Sequence, residues 1–291
     1  MSRLPISKTP KCYVGGKFIR SESARTFPLN DGAGNFFAHV PQCTRKDVRN
    51  AVEVAAKAGS GWSGRSAYNR GQILYRLAEM LEPRTAELVD ALTLGGTTSV
   101  SSARQEVVAT IDRIVHYAGW TDKYEQILGN VNPVASPHFN FTVTEPMGVV
   151  GIIAPDESPL LGLLTCILPA ITSGNSVVVI TSETAPYPAI ALGEMLATSD
   201  LPGGVVNLLT GFRKEMVPTF ATHEHIRAIG GCVNAADRKT LEIGAAESVK
   251  RVKVLNTEDQ IDWSAGDGPT ASLYAIQDFL EFKTTWHPVG A

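Results

Sequence analysis

Between Pro146 and Pro186 the chain runs almost without charge, and the period of its apolar residues changes twice. Gly148 to Ile153 and Ser176 to Ile180 are β-branched runs of strand length, whereas Leu160 to Ile171 is apolar on nearly every face. Two buried strands joined by a crossover helix lie parallel with a right-handed connection, so this stretch predicts the central unit of a parallel sheet. The alternation continues with a helix from about Pro188 to Ala197, a strand at Val205 to Leu209, a helix near Lys214 to Thr222 and a strand at Ile226 to Ile229. A helix from about Asn234 to Ala246 and a strand at Val249 to Leu255 complete it. The expected fold is therefore α/β, a Rossmann-type five-stranded parallel sheet.

Upstream, Tyr13-Val14, Gly15-Gly16 and Lys17 to Ile19 read as a tight hairpin, followed by a strand at Phe36 to Val40. Thr44 to Asp47 is a capping box, and behind it Val48, Ala51, Val52, Ala55 and Ala58 recur at helical spacing. A second helical pattern runs from about Asn69 to Leu81, kinks at Pro83 and resumes from Leu88 to Leu94; Val107 to Ala118 marks a third. Residues 1–138 are thus an N-terminal helical layer with a small β element, and 146–255 a Rossmann-type domain. Residues 139–145 and 272–291 carry β-branched and aromatic residues on exposed strands, an arm and a tail expected to form a small β oligomerisation element by pairing with another chain.

Composition excludes several classes. A net charge of -3 over 291 residues offers no basic patch for nucleic acid. The longest apolar run, about twelve residues, is too short to span a bilayer. Cysteines at 12, 43, 166 and 232 form no C-x-x-C pair, which with the absence of an apolar leader implies a reducing, cytoplasmic setting. His223-Glu224-His225 fits only a strand edge and lacks a third ligand, so no metal is expected. The turn after the first core strand, Ala154 to Pro159, is where a Rossmann unit presents free N–H groups to an anion, yet Asp156 and Glu157 would repel a pyrophosphate.

Several motifs resemble the aldehyde dehydrogenase superfamily. Tyr13 to Phe18 is similar to its opening hairpin, Glu145 to Gly151 to its first Rossmann strand, and Leu201-Pro202-Gly203-Gly204-Val205-Val206-Asn207 with Thr210-Gly211 to its fourth segment. Phe279 to Trp286 resembles the strand that closes the family dimer, and the whole is similar to the degenerate second module of the family 16 aldehyde dehydrogenases. The resemblance implies NAD(P), a thiolate nucleophile, a general base and an oxyanion-holding Asn.

Most of that apparatus is altered. The family's Pro-Trp-Asn-Phe-Pro corresponds to Pro155 to Pro159, placing the acceptor-only Glu157 at the Asn. Its Lys-Pro-Ser-Glu corresponds to Ile180 to Glu183, keeping the Glu and losing the Lys; its Gly-Ser-Thr becomes Gly231-Cys232-Val233. Its Glu-Leu-Gly-Gly becomes Leu255 to Glu258, and the catalytic domain that should follow is expected to be absent. The cofactor-contacting positions are then Ile180, Glu183, Gly231 and Cys232, with NAD(P) binding weakened. Glu183 reads equally as a ribose contact or as a carboxylate at a helix N-terminus. Cys232, near an expected helix start, is the one weak candidate nucleophile, against its reading as a small corner filler. Glu258 reaches the base position only by slipping three residues, against its reading as a solvated turn. The expectation is a non-catalytic subunit or scaffold that associates with itself or with a full-length aldehyde dehydrogenase. The alternatives are an NAD(P)-dependent aldehyde dehydrogenase and a nucleotide-binding regulatory module.

Overall fold

A computed structural model describes residues 8–266 and 271–290. The first seven residues of the helical layer and Ala291 of the tail lie outside the described residues. The chain begins with two hairpins, β1 (Cys12–Val14) with β2 (Lys17–Ile19) and β3 (Thr26–Asn30) with β4 (Phe36–Pro41). Five helices follow: α1 (Arg45–Ser63), α2 (Ala67–Leu81), α3 (Thr85–Thr93), α4 (Val100–Trp120) and α5 (Tyr124–Leu128). The Thr44–Asp47 box starts α1, and the Asp47 carboxylate also accepts from Ser21 Oγ (2.9 Å) and Glu22 N (2.8 Å), fixing the preceding loop to the helix.

After β5 (Asn130–Asn132) and β6 (His138–Pro146) comes the alternating core. It comprises β7 (Val149–Ile153), α6 (Leu161–Thr172), β8 (Ser176–Ile180), α7 (Tyr187–Leu196), β9 (Val206–Leu209), α8 (Arg213–Thr222), β10 (Ile226–Val233), α9 (Ala235–Ala246) and β11 (Arg251–Asn256). The chain closes with α10 (Tyr274–Gln277) and β12 (Leu280–Pro288). The main sheet has the order β11-β10-β7-β8-β9-β1-β2. Its first five strands are parallel, as the β-branched runs predict. Sequence pattern did not place the β1–β2 hairpin, which extends the same sheet antiparallel beyond β9 through Tyr13 opposite Leu208.

Because strand side chains alternate, the sheet sorts its apolar residues into two cores. Val150, Ile152, Val177, Val179 and Leu208 face α2, α3, α4, α6 and α7. Ile153, Val178, Ile180 and Leu209 face α1, α8 and α9. Phe220 of α8 packs so closely on β7 that a Cβ at Gly151 would stand 2.8 Å from its ring. Trp62, fully buried, donates its indole N–H to Ile171 O (2.8 Å) and locks α1 to the end of α6. Among the described residues no helix is long and apolar enough to cross a membrane.

Sequence pattern did not show that the arm and the tail meet within the chain. β6 and β12 pair with each other, antiparallel from Leu280 opposite Pro146 to Pro288 opposite His138. Arg251 anchors the start of this tail by donating to Asp278 O (3.0 Å) and Leu280 O (2.8 Å), and Asn175 Nδ2 donates to Phe279 O (2.8 Å). The strands satisfy one another's backbone groups, leaving β12 as the outer strand of the order β12-β6-β5.

Candidate functional site

The sheet order reverses between β7 and β10, and in an open parallel sheet ligands bind in the crevice beyond the carboxyl ends of the strands at such a point. Three groups of N–H donors converge there, and each already holds a carboxylate of this chain. At the start of α6, Glu106 of α4 accepts from Leu160 N (3.2 Å), Leu161 N (3.0 Å) and Ser158 Oγ (3.1 Å). A helix N-terminus attracts an anion, and here the anion is supplied from within.

At the β7 turn, Asp156 Oδ1 accepts from Ser182 Oγ (2.7 Å) and Glu183 N (2.8 Å). Its other oxygen pairs with Arg213 Nη2 at 2.9 Å, and the same nitrogen donates to Ala154 O (2.7 Å). Arg213 is the first residue of α8, and its side chain is only 10% exposed. Its Nε is buried without a hydrogen-bond partner. The third group is the start of α8 itself, where Glu183 Oε2 accepts from Arg213 N (2.9 Å). Glu183 thus lies at a helix N-terminus, that of α8 rather than of the helix following it in sequence.

The other candidates scatter. Ile180 is fully buried in the apolar core at the end of β8. Gly231 lies inside β10 at φ 117°, and a Cβ there would stand 2.0 Å from Ile153 O. Cys232 also lies inside β10, two residues ahead of Asn234, the N-cap of α9, so the expected helix-dipole activation does not reach it. Its thiol is fully buried and donates toward Glu157 Oε1 at 3.9 Å. Burial, then the Glu157 charge, pushes it up to about 12, the opposite of an activated nucleophile. Glu258 is exposed in the turn after β11. Among the described residues no group of three or more His, Cys, Asp or Glu stands in position to hold a metal ion.

Sequence reasoning missed Trp263, Arg213 and Glu106. Trp263 Nε1 donates to Glu157 Oε1 (3.2 Å), and its ring packs with Leu161 and Cys232. Arg113 Nη2 holds that segment through Trp263 O (3.1 Å) and Ala265 O (2.7 Å). Two signals were available. Arg213 places a cation at a helix start, electrostatically wrong unless an anion faces it. Glu106, Thr110 and Arg113 recur at helical spacing, a polar stripe that needs partners on a packed helix. Beside the turn, a cavity of about 400 Å³ has Leu92, Leu94, Pro159 and Tyr187 in its walls together with Asp156 and Glu157. These residues do not fit a pyrophosphate, because the donors it needs are occupied and the open wall is acidic.

The sequence profile of the aldehyde dehydrogenase family matches residues 18–256. The chain is 32% identical over 251 residues to a putative aldehyde dehydrogenase, DhaS, of Bacillus subtilis, covering 85% of this chain and 50% of that protein. It is 33% identical to retinal dehydrogenase 2 of Mus musculus over 84% of this chain and 48% of the relative. The NAD+ complex of an aldehyde dehydrogenase from Bacillus cereus superposes with a TM-score of 0.81 at 26% identity, covering 86% of this chain and 51% of that one. The chain spans about half the length of the curated relatives it matches. Profile, identity and topology agree, and the chain belongs to the aldehyde dehydrogenase family.

Proposed function

We propose that the chain is a non-catalytic aldehyde-dehydrogenase-like subunit, a scaffold whose dinucleotide corner is closed by its own side chains. The observation that carries this reading is the Asp156 carboxylate, seated on Ser182 Oγ, Glu183 N and Arg213 where an anionic ligand would need those donors. Support also comes from Cys232, whose thiol is held protonated, and from Glu157, an acceptor-only group unable to stabilise developing negative charge. The assembly partner in this reading is a second copy or a full-length aldehyde dehydrogenase. Phe139, Phe282 and Trp286, exposed on the β6–β12 ribbon beside its free outer edge, are suited to such a contact. Four free cysteines favour a reducing, cytoplasmic setting.

The test is calorimetric titration with NAD+ and NADP+, paired with an aldehyde-dependent assay of NADH formation. The expected outcome is a flat titration to millimolar ligand and no turnover. Saturable micromolar binding together with turnover would establish an NAD(P)-dependent aldehyde dehydrogenase instead. A nucleotide-binding regulatory module is the second reading, favoured by the orphaned donor at Arg213 Nε. It predicts saturable binding without turnover.

A further inference from the structure

The core that faces α1, α8 and α9 contains a pair of cysteines the site does not use. Cys12 on β1 and Cys43, two residues after β4, bring their sulfurs to 3.3 Å, and both side chains are buried. Cys12 Sγ also lies 3.4 Å from Thr210 Oγ1, and Cys43 N donates to Thr210 O (2.9 Å). The three segments therefore converge on one point: the N-terminal hairpin, the start of α1 and the end of β9.

We propose that Cys12 and Cys43 form a reversible dithiol–disulfide site that responds to hydrogen peroxide and pins the β1–β2 hairpin to the body of the domain. The sulfurs need to close by only about 1.2 Å to reach a bond of about 2.05 Å. Hydrogen bonding from the Cys43 thiol holds the Cys12 thiol below its ordinary range, while the same contact raises Cys43, so Cys12 is the attacking sulfur. Its thiolate attacks one peroxide oxygen, the O–O bond breaks, and the departing hydroxide takes a proton to leave as water. Cys12 is then a sulfenic acid. The Cys43 sulfur attacks it, the S–S bond forms, the S–O bond breaks, and the hydroxyl leaves with the Cys43 proton as a second water. Two thiols lose two electrons and one peroxide gains them. A dithiol reductant reverses the state by exchange.

The consequence is mechanical. β1 joins the parallel sheet through a single paired position, Tyr13 opposite Leu208, and through Gly15 N donating to Asn207 Oδ1 (3.0 Å). A covalent tie across the 31 positions from Cys12 to Cys43 fixes that edge and spans both hairpins.

The experiment treats the native full chain with graded hydrogen peroxide, quenches with catalase, alkylates in denaturant and maps the peptides. The expected product is a Cys12–Cys43 linked peptide with Cys166 and Cys232 still alkylated. A rise in melting temperature of about 5 °C, reversed by dithiothreitol, should accompany it. Cys43→Ser should leave a sulfenic acid on Cys12 that dimedone traps, and Cys12→Ser should leave Cys43 unlabelled. Full alkylation of both cysteines after a peroxide dose that oxidises free glutathione overturns the proposal. So does a disulfide that links any other pair. Because the map is made on the unsubstituted chain, a variant that fails to fold does not remove the test.

Discussion

Replacing Asp156 with Ala removes the carboxylate that occupies the crevice and should be costly in a way that an added anion can repair. The pair it makes with Arg213 is half in the protein, with the guanidinium 10% and the carboxylate 29% exposed. Breaking a fully buried pair costs about 3–5 kcal/mol and an exposed one at most about 1 kcal/mol, so this position should cost about 2–4 kcal/mol. For a chain of 291 residues, that corresponds to a fall in melting temperature of about 3–7 °C.

The same substitution leaves Arg213 Nη2, Ser182 Oγ and Glu183 N facing a vacated anion site. If inorganic phosphate fills it with a dissociation constant of about 1 mM, then about 20 mM phosphate restores about 1.8 kcal/mol, or about 3 °C. Differential scanning fluorimetry in chloride and in phosphate at matched ionic strength reads both effects. The parent chain should not respond, and Asp156→Ala combined with Arg213→Met should lose the response. A variant that melts within about 1 °C of the parent, or an equal phosphate shift in both proteins, would refute the claim that Asp156 acts as an internal anion.

Two further outcomes follow from the same geometry. Cys232, raised from 9.0 to about 12, should react with iodoacetamide about 1,000-fold more slowly at neutral pH than an ordinary thiol, counting only the thiolate fraction. Because the folded state raises this group, its stabilising contribution is full below the ordinary thiol range and is lost as pH climbs toward about 12. The urea midpoint should therefore decline only above neutral pH, and an alkylation rate at Cys232 that levels off near pH 7 would contradict this. Gly231→Ala sets a Cβ against Ile153 O at φ 117° and should cost about 3 kcal/mol or more. Thermal denaturation followed by circular dichroism checks it, and a melting point within about 2 °C of the parent would mean the strands do not approach so closely.

The core was legible because burial on both faces leaves a local mark. Ser176 to Ile180 and Val149 to Ile153 carry no charge and several β-branched residues, and no other element tolerates that composition at that length. The β6–β12 ribbon shows where such reading stops. Alternating polar and aromatic residues announce an exposed strand, but they say nothing about which edge completes it, and the partner was 142 positions away at Thr142 and Thr284. The placement of Cys232 near a helix start failed for a smaller reason: β10 runs to Val233, four residues beyond the β-branched stretch that marks it, which puts the cysteine inside a strand. Hydrogen-bond partners across the crevice were the least accessible, since Asp156 and Arg213 share no local signal except the misplaced charge of an arginine at a helix start.

The acidic turn also illustrates how a sequence argument can reach the right exclusion by an incomplete route. From the sequence, Asp156 and Glu157 exclude a pyrophosphate by repulsion alone, a screened effect that neutralising the pair would remove. In the fold they exclude it by occupancy as well. Asp156 sits on the donors that follow β8, Glu183 takes the first N–H of α8, Glu106 caps α6, and Glu157 is tied to Trp263. Asp156, Glu183 and Arg213 interlock, whereas Glu106 on α6 and Glu157 on Trp263 are held by other partners. Neutralising one carboxylate therefore frees one group of donors while the others remain filled and the indole stays in place. Asp156→Ala should accordingly admit inorganic phosphate without admitting NAD+, and that separation distinguishes a crevice closed by several contacts from one closed by a single misplaced charge.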